Sequence, residues 1–372
     1  MREPYNMVLK AWPEPNNQKL CLDFQGLLVS GVKPGRQVAK GQLLAKASLV
    51  RHSDTHSPVS GRLIKVLSQQ VTIEAGPDSG GLPPSPLPLT GLFGFELAKA
   101  LRSLGVPTPR PPGQGQPALL TALVSEPGLE TGAALWNDQR TTLTAGADIL
   151  ARLWPETQLW EVLPRGLEPL GASRVIINSD RYPLTHPIFL KKSILGLYDP
   201  KASGVVEPRI LWAMGFVARG GMPLTHLPVT IQRSHYLAPL GLRLSDALEG
   251  VNLSPQKGDA VVIGGLITGR PASNLSSGLG WSSPALHLIR ARHLPPSPEP
   301  CRRCLRCRLA CPLDLPIDLL GALSMDQWPK ASISAPELLS GCPACGACAL
   351  ACPAARPLLA IVLSAQTLRQ GF

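Results

Sequence analysis

Eight of the nine cysteines of this chain fall in two short runs, Cys301-x2-Cys304-x2-Cys307-x3-Cys311-Pro312 and Cys342-x2-Cys345-x2-Cys348-x3-Cys352-Pro353. Three thiolates at three-residue intervals on a looping backbone can grip three corners of an iron–sulfur cubane, and the fourth corner must be reached from elsewhere. Zinc is the competing occupant, because C-x2-C pairs also suit a tetrahedral ion. A third cysteine at the same spacing, present in both runs, favours two [4Fe–4S] clusters. The first run interleaves Arg302, Arg303, Arg306 and Arg308 with its cysteines, whereas Pro343, Ala344, Gly346, Ala347, Ala349, Leu350 and Ala351 fill the second. Cations favour the more negative, reduced form of a cluster, so the cluster gripped by the first run is expected to have the higher potential. The same arginines would steer an acidic acceptor. Cys21 stands apart in an apolar, strand-like stretch and reads as a small buried hydrophobe.

The elements that must carry these runs are short. Forty prolines and thirty-five glycines lie mostly between apolar blocks, which predicts many short strands and turns. "VSGVKPGRQVAKGQLLAKASLV" (29–50) and "HSPVSGRLIKV" (56–66) predict a small all-β unit over 1–75. Their pairing resembles the lipoyl type of barrel-sandwich hybrid, but the tip, "RHSDTH", offers no carrier lysine. His52 and His56, which flank that tip, read as exposed turn histidines. Over 76–232, Pro/Gly-rich connectors are followed by apolar segments alternating with helical ones such as "TLTAGADILARLW" and "PRILWAMGFVARG", the pattern of an α/β layer on a largely parallel sheet. Residues 233–293 hold a short helix, "LRLSDALEG", and a strand broken by Gly264 and Gly265, which suits a compact α+β unit. "LPPSPEP" is a semi-rigid linker into the cysteine module, 294–372. The expected fold class is therefore multidomain α/β and α+β.

Net charge of +11 would suit nucleic acid, an anionic membrane or an acidic protein equally. Aromatics make up only 5% of the chain, too few for a base-stacking surface, so no nucleic-acid partner is expected. No run of about eighteen apolar residues occurs, and "MREPYNMVLK" lacks a secretory apolar core, which predicts a soluble, intracellular chain without a transmembrane segment. No G-x-S-x-G elbow, Walker loop or H-E-x-x-H is present, and no catalytic residue is assigned. His186, His226, His235, His287 and His293 are scattered without ligand spacing.

The module resembles a two-cluster ferredoxin domain. That resemblance implies that cluster I takes Cys301, Cys304, Cys307 and Cys352, and cluster II takes Cys342, Cys345, Cys348 and Cys311. The order of parts is similar to the C subunit of Rnf electron-transport complexes: barrel-sandwich hybrid, flavin/NADH-type α/β domain, β-grasp ligand-binding domain, ferredoxin end. "SDRYPLTHPIFLKKSILG" and "LGLRLSDALEG…DAVVIGGLITGRP" carry the likeness outside the cysteines. It implies an electron-transfer subunit at the cytoplasmic face of the inner membrane, with other subunits of a membrane redox complex and an acidic ferredoxin- or flavodoxin-like carrier as partners. Two other readings share the plan: an FMN-containing NADH-oxidising subunit, and a scaffold similar to the cobalamin reductases of propanediol-utilising organelles. The family's glycine-rich phosphate loop is reduced here to "TGLFGFELAKAL", keeping Gly91 and Gly94, and its acidic stretch to "TALVSEPG". FMN and NADH are therefore expected to be lost, with Glu126 a relic of that site or a structural acceptor. Lys99, Lys191 and Lys192 read as solvated helix-face lysines.

Overall fold

The computed structural model describes residues 8–49, 52–77, 84–178, 181–199, 201–321 and 341–370. It has the expected multidomain α/β character, with several sheets and no closed barrel among the described residues. Near the N-terminus an antiparallel four-stranded sheet runs in the order Lys19–Asp23, Gln70–Ala75, Gly61–Val66, Gln37–Val38. It shares a core with a three-stranded sheet of Gly26–Leu28, Leu43–Ala47 and Thr55–His56. Strict alternation explains the packing: in Gln70–Ala75 the side chains of Val71, Ile73 and Ala75 are buried and those between them are half-exposed. Cys21 is buried on the strand Lys19–Asp23, as expected of a small hydrophobe. His56 departs from expectation. It is buried rather than exposed, and burial pushes its imidazole down to about 4.

The α/β layer is built on a parallel sheet in the order Arg174–Ile177, Leu159–Leu163, Ala118–Thr121, Val205–Val206. Helices Arg140–Leu153 and Pro208–Gly220 pack on one another within its core, around Trp136 and Trp212. The second of these begins at a proline, whose missing N–H costs nothing at the first turn, and stops at Gly221 with a left-handed φ of 62°. Two glycines let the helices touch backbone to backbone. A methyl at Gly146 would lie 2.0 Å from the Leu211 carbonyl oxygen, and one at Gly215 1.8 Å from that of Thr142.

A six-stranded mixed sheet follows, ordered Leu9–Ala11, Ser234–Pro239, His226–Ile231, Ala285–Ile289, Ala260–Ile263, Arg270–Pro271. The first strand therefore leaves the N-terminal sandwich and pairs in parallel with Ser234–Pro239, tying the start of the chain to its second half. The short helix Leu244–Glu249 buries Leu244, Ala247 and Leu248 against this sheet.

Because the crossing of the two long helices has no room for a β-carbon, Gly146→Ala or Gly215→Ala is expected to lower stability by about 1–3 kcal/mol, the cost of overpacking. Urea unfolding followed by tryptophan fluorescence checks this, since Trp136 and Trp212 sit in that core.

Candidate functional site

The cysteine module is an internal repeat with an offset of 41 residues, Cys301 answering to Cys342 and Cys311 to Cys352. Its backbone repeats as well. Left-handed φ angles at Arg303 (50°), Leu305 (59°) and Asp314 (50°) recur at Ala344 (55°), Gly346 (76°) and Ala355 (48°). Such angles are rare outside glycine, and here they wrap the chain tightly enough to present successive cysteines to one side. Each left-handed turn opens a single helical turn, Arg306–Leu309 or Ala347–Leu350. Helices Ile317–Gly321 and Leu358–Gln370 start one repeat apart, and Ile317, Leu358, Ile361 and Val362 close a small core beneath Cys348.

Folding this repeat exchanges the fourth cysteines. Cys301, Cys304 and Cys307 line one cavity together with Cys352, while Cys342, Cys345 and Cys348 line a second together with Cys311. The cavities are small, with volumes of about 20 and 10 Å³. Among the described residues no three His, Cys, Asp or Glu side chains converge on a point where a single metal ion would sit. A tetrahedral zinc ion would need four sulfurs about 2.3 Å from one point. All eight are free thiols. Backbone amides of Arg303 and Leu315 donate to the sulfurs of Cys301 and Cys311, each at 3.4 Å. Burial pushes the Cys342 thiol up to about 11 and that of Cys348 up to about 12. A buried thiol of this kind gives up its proton only to a bound metal that supplies compensating positive charge.

The two cavities differ in what surrounds them. The second is lined by apolar side chains besides its cysteines and is covered by the α/β layer. Phe189, on the helix Pro187–Leu195, packs against Cys345 and Ala347. The hydroxyls of Tyr182 and Tyr198 donate to the carbonyls of Cys345 and Gly341. Ile267 fills the space above Gly346, where a methyl would meet its side chain at 2.7 Å. The first cavity lies toward solvent: Cys304 is exposed, and Leu305 and Leu309 are 49% and 84% exposed. Of the four arginines of the first run, Arg302 and Arg303 line this cavity, whereas Arg306 and Arg308 do not. Arg302 is paired with Glu299 at 2.5 Å and Arg308 with Asp314 at 3.3 Å. Two charged residues that sequence reasoning missed, Asp318 and Arg356, line it too, and Arg356 is only 6% exposed. Asking which positions break the repeat at the 41-residue offset would have drawn attention to both, since their counterparts are Leu359 and Leu315.

Glu126 is a buried structural acceptor. One carboxylate oxygen takes the amides of Ile267 and Thr268, both at 2.5 Å, and the other takes the Thr268 hydroxyl. The Gly264-Gly265 turn is shaped around it, because a methyl at Gly265 would lie 2.3 Å from the carboxylate. Glu126 thus anchors the loop that carries Ile267 onto Gly346. At the reduced glycine loop, Phe93 and Phe95 flank Gly94 and are 55% and 71% exposed. Lys191 is not the solvated lysine expected. It is 3% exposed, pairs with Asp199 at 2.8 Å and donates to the Ser203 carbonyl; Lys99 and Lys192 are exposed.

A separate cavity of about 630 Å³ opens between the N-terminal sandwich and the loop Gly278–Ser282. His52 and His56 line it, each with a buried Nδ1 that has no hydrogen-bond partner. Among the described residues no lysine or arginine lines this cavity.

No protein-family model matches this chain, and no curated protein matches it in sequence. Among solved structures it is similar to chains of NAD+-reducing [NiFe]-hydrogenase. For the air-oxidized state the identity is 16% over 72% of this chain and 59% of that one, with a TM-score of 0.44. For the H2-reduced state the figures are 15%, 74% and 60%, with a TM-score of 0.47. The chain spans about three fifths of the length of those chains.

Replacing Glu126 by alanine strands two buried amides and a hydroxyl and is expected to cost about 3 kcal/mol, with glutamine costing less. The loop 264–269 should then exchange its amide hydrogens faster, as hydrogen–deuterium exchange would report.

Proposed function

We propose that this chain is an electron-transfer subunit holding two [4Fe–4S] clusters, cluster I on Cys301, Cys304, Cys307 and Cys352 and cluster II on Cys342, Cys345, Cys348 and Cys311. The observation that carries this reading is the exchange of fourth cysteines between the two cavities. When bound, such clusters accept and release single electrons. The chain's own residues hold them by thiolate, exclude water from cluster II with Phe189, Ile317 and Val362, and leave cluster I near the surface. Electrons would enter on the side of the α/β layer and leave through the face bearing Leu305, Leu309 and the arginines. That face suits a small acidic one-electron carrier, with an apolar contact ringed by cations. FMN and NADH are not part of this reading: Phe93 and Phe95 stand where a phosphate loop needs bare backbone, and Glu126 is fully engaged. The order of parts supports membership of an Rnf-like complex, with the subunit peripheral on the cytoplasmic face of the inner membrane. Among the described residues no helix is long and apolar enough to cross a membrane.

Anaerobically purified protein is expected to contain about eight iron and eight acid-labile sulfides per chain. Cys311→Ala should alter the spectrum of cluster II and leave the four thiols of cluster I in place; stoichiometric zinc, or an unchanged cluster II, would reject the assignment.

Arg306→Glu is expected to slow electron transfer to an acidic ferredoxin-type carrier by about threefold or more at low salt and to flatten its ionic-strength dependence. The rate with a cationic viologen dye should not fall, which stopped-flow measurements would check.

A further inference from the structure

We propose that the cavity lined by His52 and His56 binds a small, neutral, planar heterocycle of lactam type, one that presents ring carbonyl oxygens and ring N–H groups. The site is separate from the cysteine module and does not depend on the two-cluster reading.

Three parts of the chain meet at this cavity. The N-terminal sandwich supplies the two histidines, the α/β layer Gly105 and Leu224, and the mixed-sheet unit Leu279 and Trp281. Its volume of about 630 Å³ is that of a pocket for a small organic ligand. The indole N–H of Trp281 donates to the Gly105 carbonyl at 3.3 Å, so the polar end of that side chain is satisfied and its half-buried ring is left to act as an apolar wall. Gly105 has a left-handed φ of 87°, and a methyl there would lie 3.6 Å from Nδ1 of His56. Backbone is therefore packed along that edge of the imidazole.

The histidines give the cavity its hydrogen-bonding character. His56 is 6% exposed, Nδ1 of both rings is buried without a partner, and no hydrogen bond to either imidazole occurs among the described residues. Burial pushes His56 down to about 4, so near neutral pH its ring carries a single proton. An orphaned buried N–H is a rarer and costlier thing than an orphaned buried lone pair. The proton of His56 accordingly belongs on Nε2, and the same argument applies to a neutral His52. Each ring then brings one unanswered N–H donor to the cavity, and two such donors call for two acceptors.

Asp23 and Asp54 line the same cavity and decide between kinds of acceptor. An anionic acceptor would be repelled by both carboxylates, whereas a carbonyl oxygen accepts without bringing charge. The carboxylates can in turn accept from ring N–H groups, although each already holds one donor, Gln70 on Asp23 at 2.8 Å and the Ala47 amide on Asp54 at 2.9 Å. Trp281 and Leu279 suit the faces of a flat ring. A lactam-type heterocycle combines all three features: carbonyls for the histidines, N–H groups for the carboxylates and a planar body for the apolar wall.

The test is isothermal titration calorimetry of the full anaerobic chain near neutral pH with three probes: lumazine, a bicyclic heterocycle with lactam edges; naphthalene, a flat ring without polar groups; and terephthalate, a flat dianion. Lumazine is expected to bind at one site per chain with a Kd below about 1 mM, and the other two at least about tenfold more weakly. His56→Phe, which keeps a flat ring and removes the donor, should weaken lumazine binding about tenfold, and His52→Phe should act in the same direction. Iron and sulfide content should be the same in both variants as in the native chain. No saturable lumazine binding, equal or tighter binding of naphthalene or terephthalate, or unchanged affinity in His56→Phe would overturn the proposal. Should His56→Phe fail to fold by circular dichroism, His52→Phe and the ranking of the three probes on the native chain decide it.

Discussion

Each cavity of the cysteine module is completed by a thiol from the other half, and that exchange governs how the C-terminal part of the chain folds. Cys352 cannot join Cys301, Cys304 and Cys307 unless the second repeat closes on the first, and Cys311 imposes the reciprocal condition. The left-handed turns at matched positions and the small core of Ile317, Leu358, Ile361 and Val362 serve this closure. The core is too small to hold such a module by apolar burial alone, a common condition of short domains built around metal. Burial also raises the thiols of Cys342 and Cys348, so the thiolate form needs a cation that the surrounding apolar residues do not provide.

The near-symmetry of the module is broken by what it touches. One repeat faces the α/β layer and is covered by Phe189, Tyr182 and Ile267; the other faces water and carries the charges. A chain of contacts maintains this orientation. Glu126 grips the loop after Gly265, the loop places Ile267, and Ile267 rests on the glycine between Cys345 and Cys348. A carboxylate whose sequence context suggests a cofactor site thus acts as a joint between the α/β layer, the mixed sheet and the cysteine module.

Local pattern was legible wherever side-chain periodicity or turn chemistry acts over a few residues. The helices around "TLTAGADILARLW" and "PRILWAMGFVARG", the parallel sheet they cover and the alternation of Gln70–Ala75 all follow from such signals. The pairing of Leu9–Ala11 with Ser234–Pro239 did not, because a three-residue strand carries no mark of a partner more than two hundred residues away. His56 and Lys191 misled for a related reason: polar side chains in turns or helices are ordinarily solvated, and only packing from distant segments covered these two.

The sequence by itself determined the chemistry available to this protein, since eight cysteines at fixed spacing admit few occupants and the spacing is a property of the covalent chain. Only the tertiary structure decided the electrostatics. The arginines conspicuous between the cysteines are exposed, and two of the four are paired with carboxylates, whereas Arg356, between an alanine and a proline, is buried. Charge can be counted from a sequence, but its effect depends on the dielectric around it, and that is set by which distant segments fold over it.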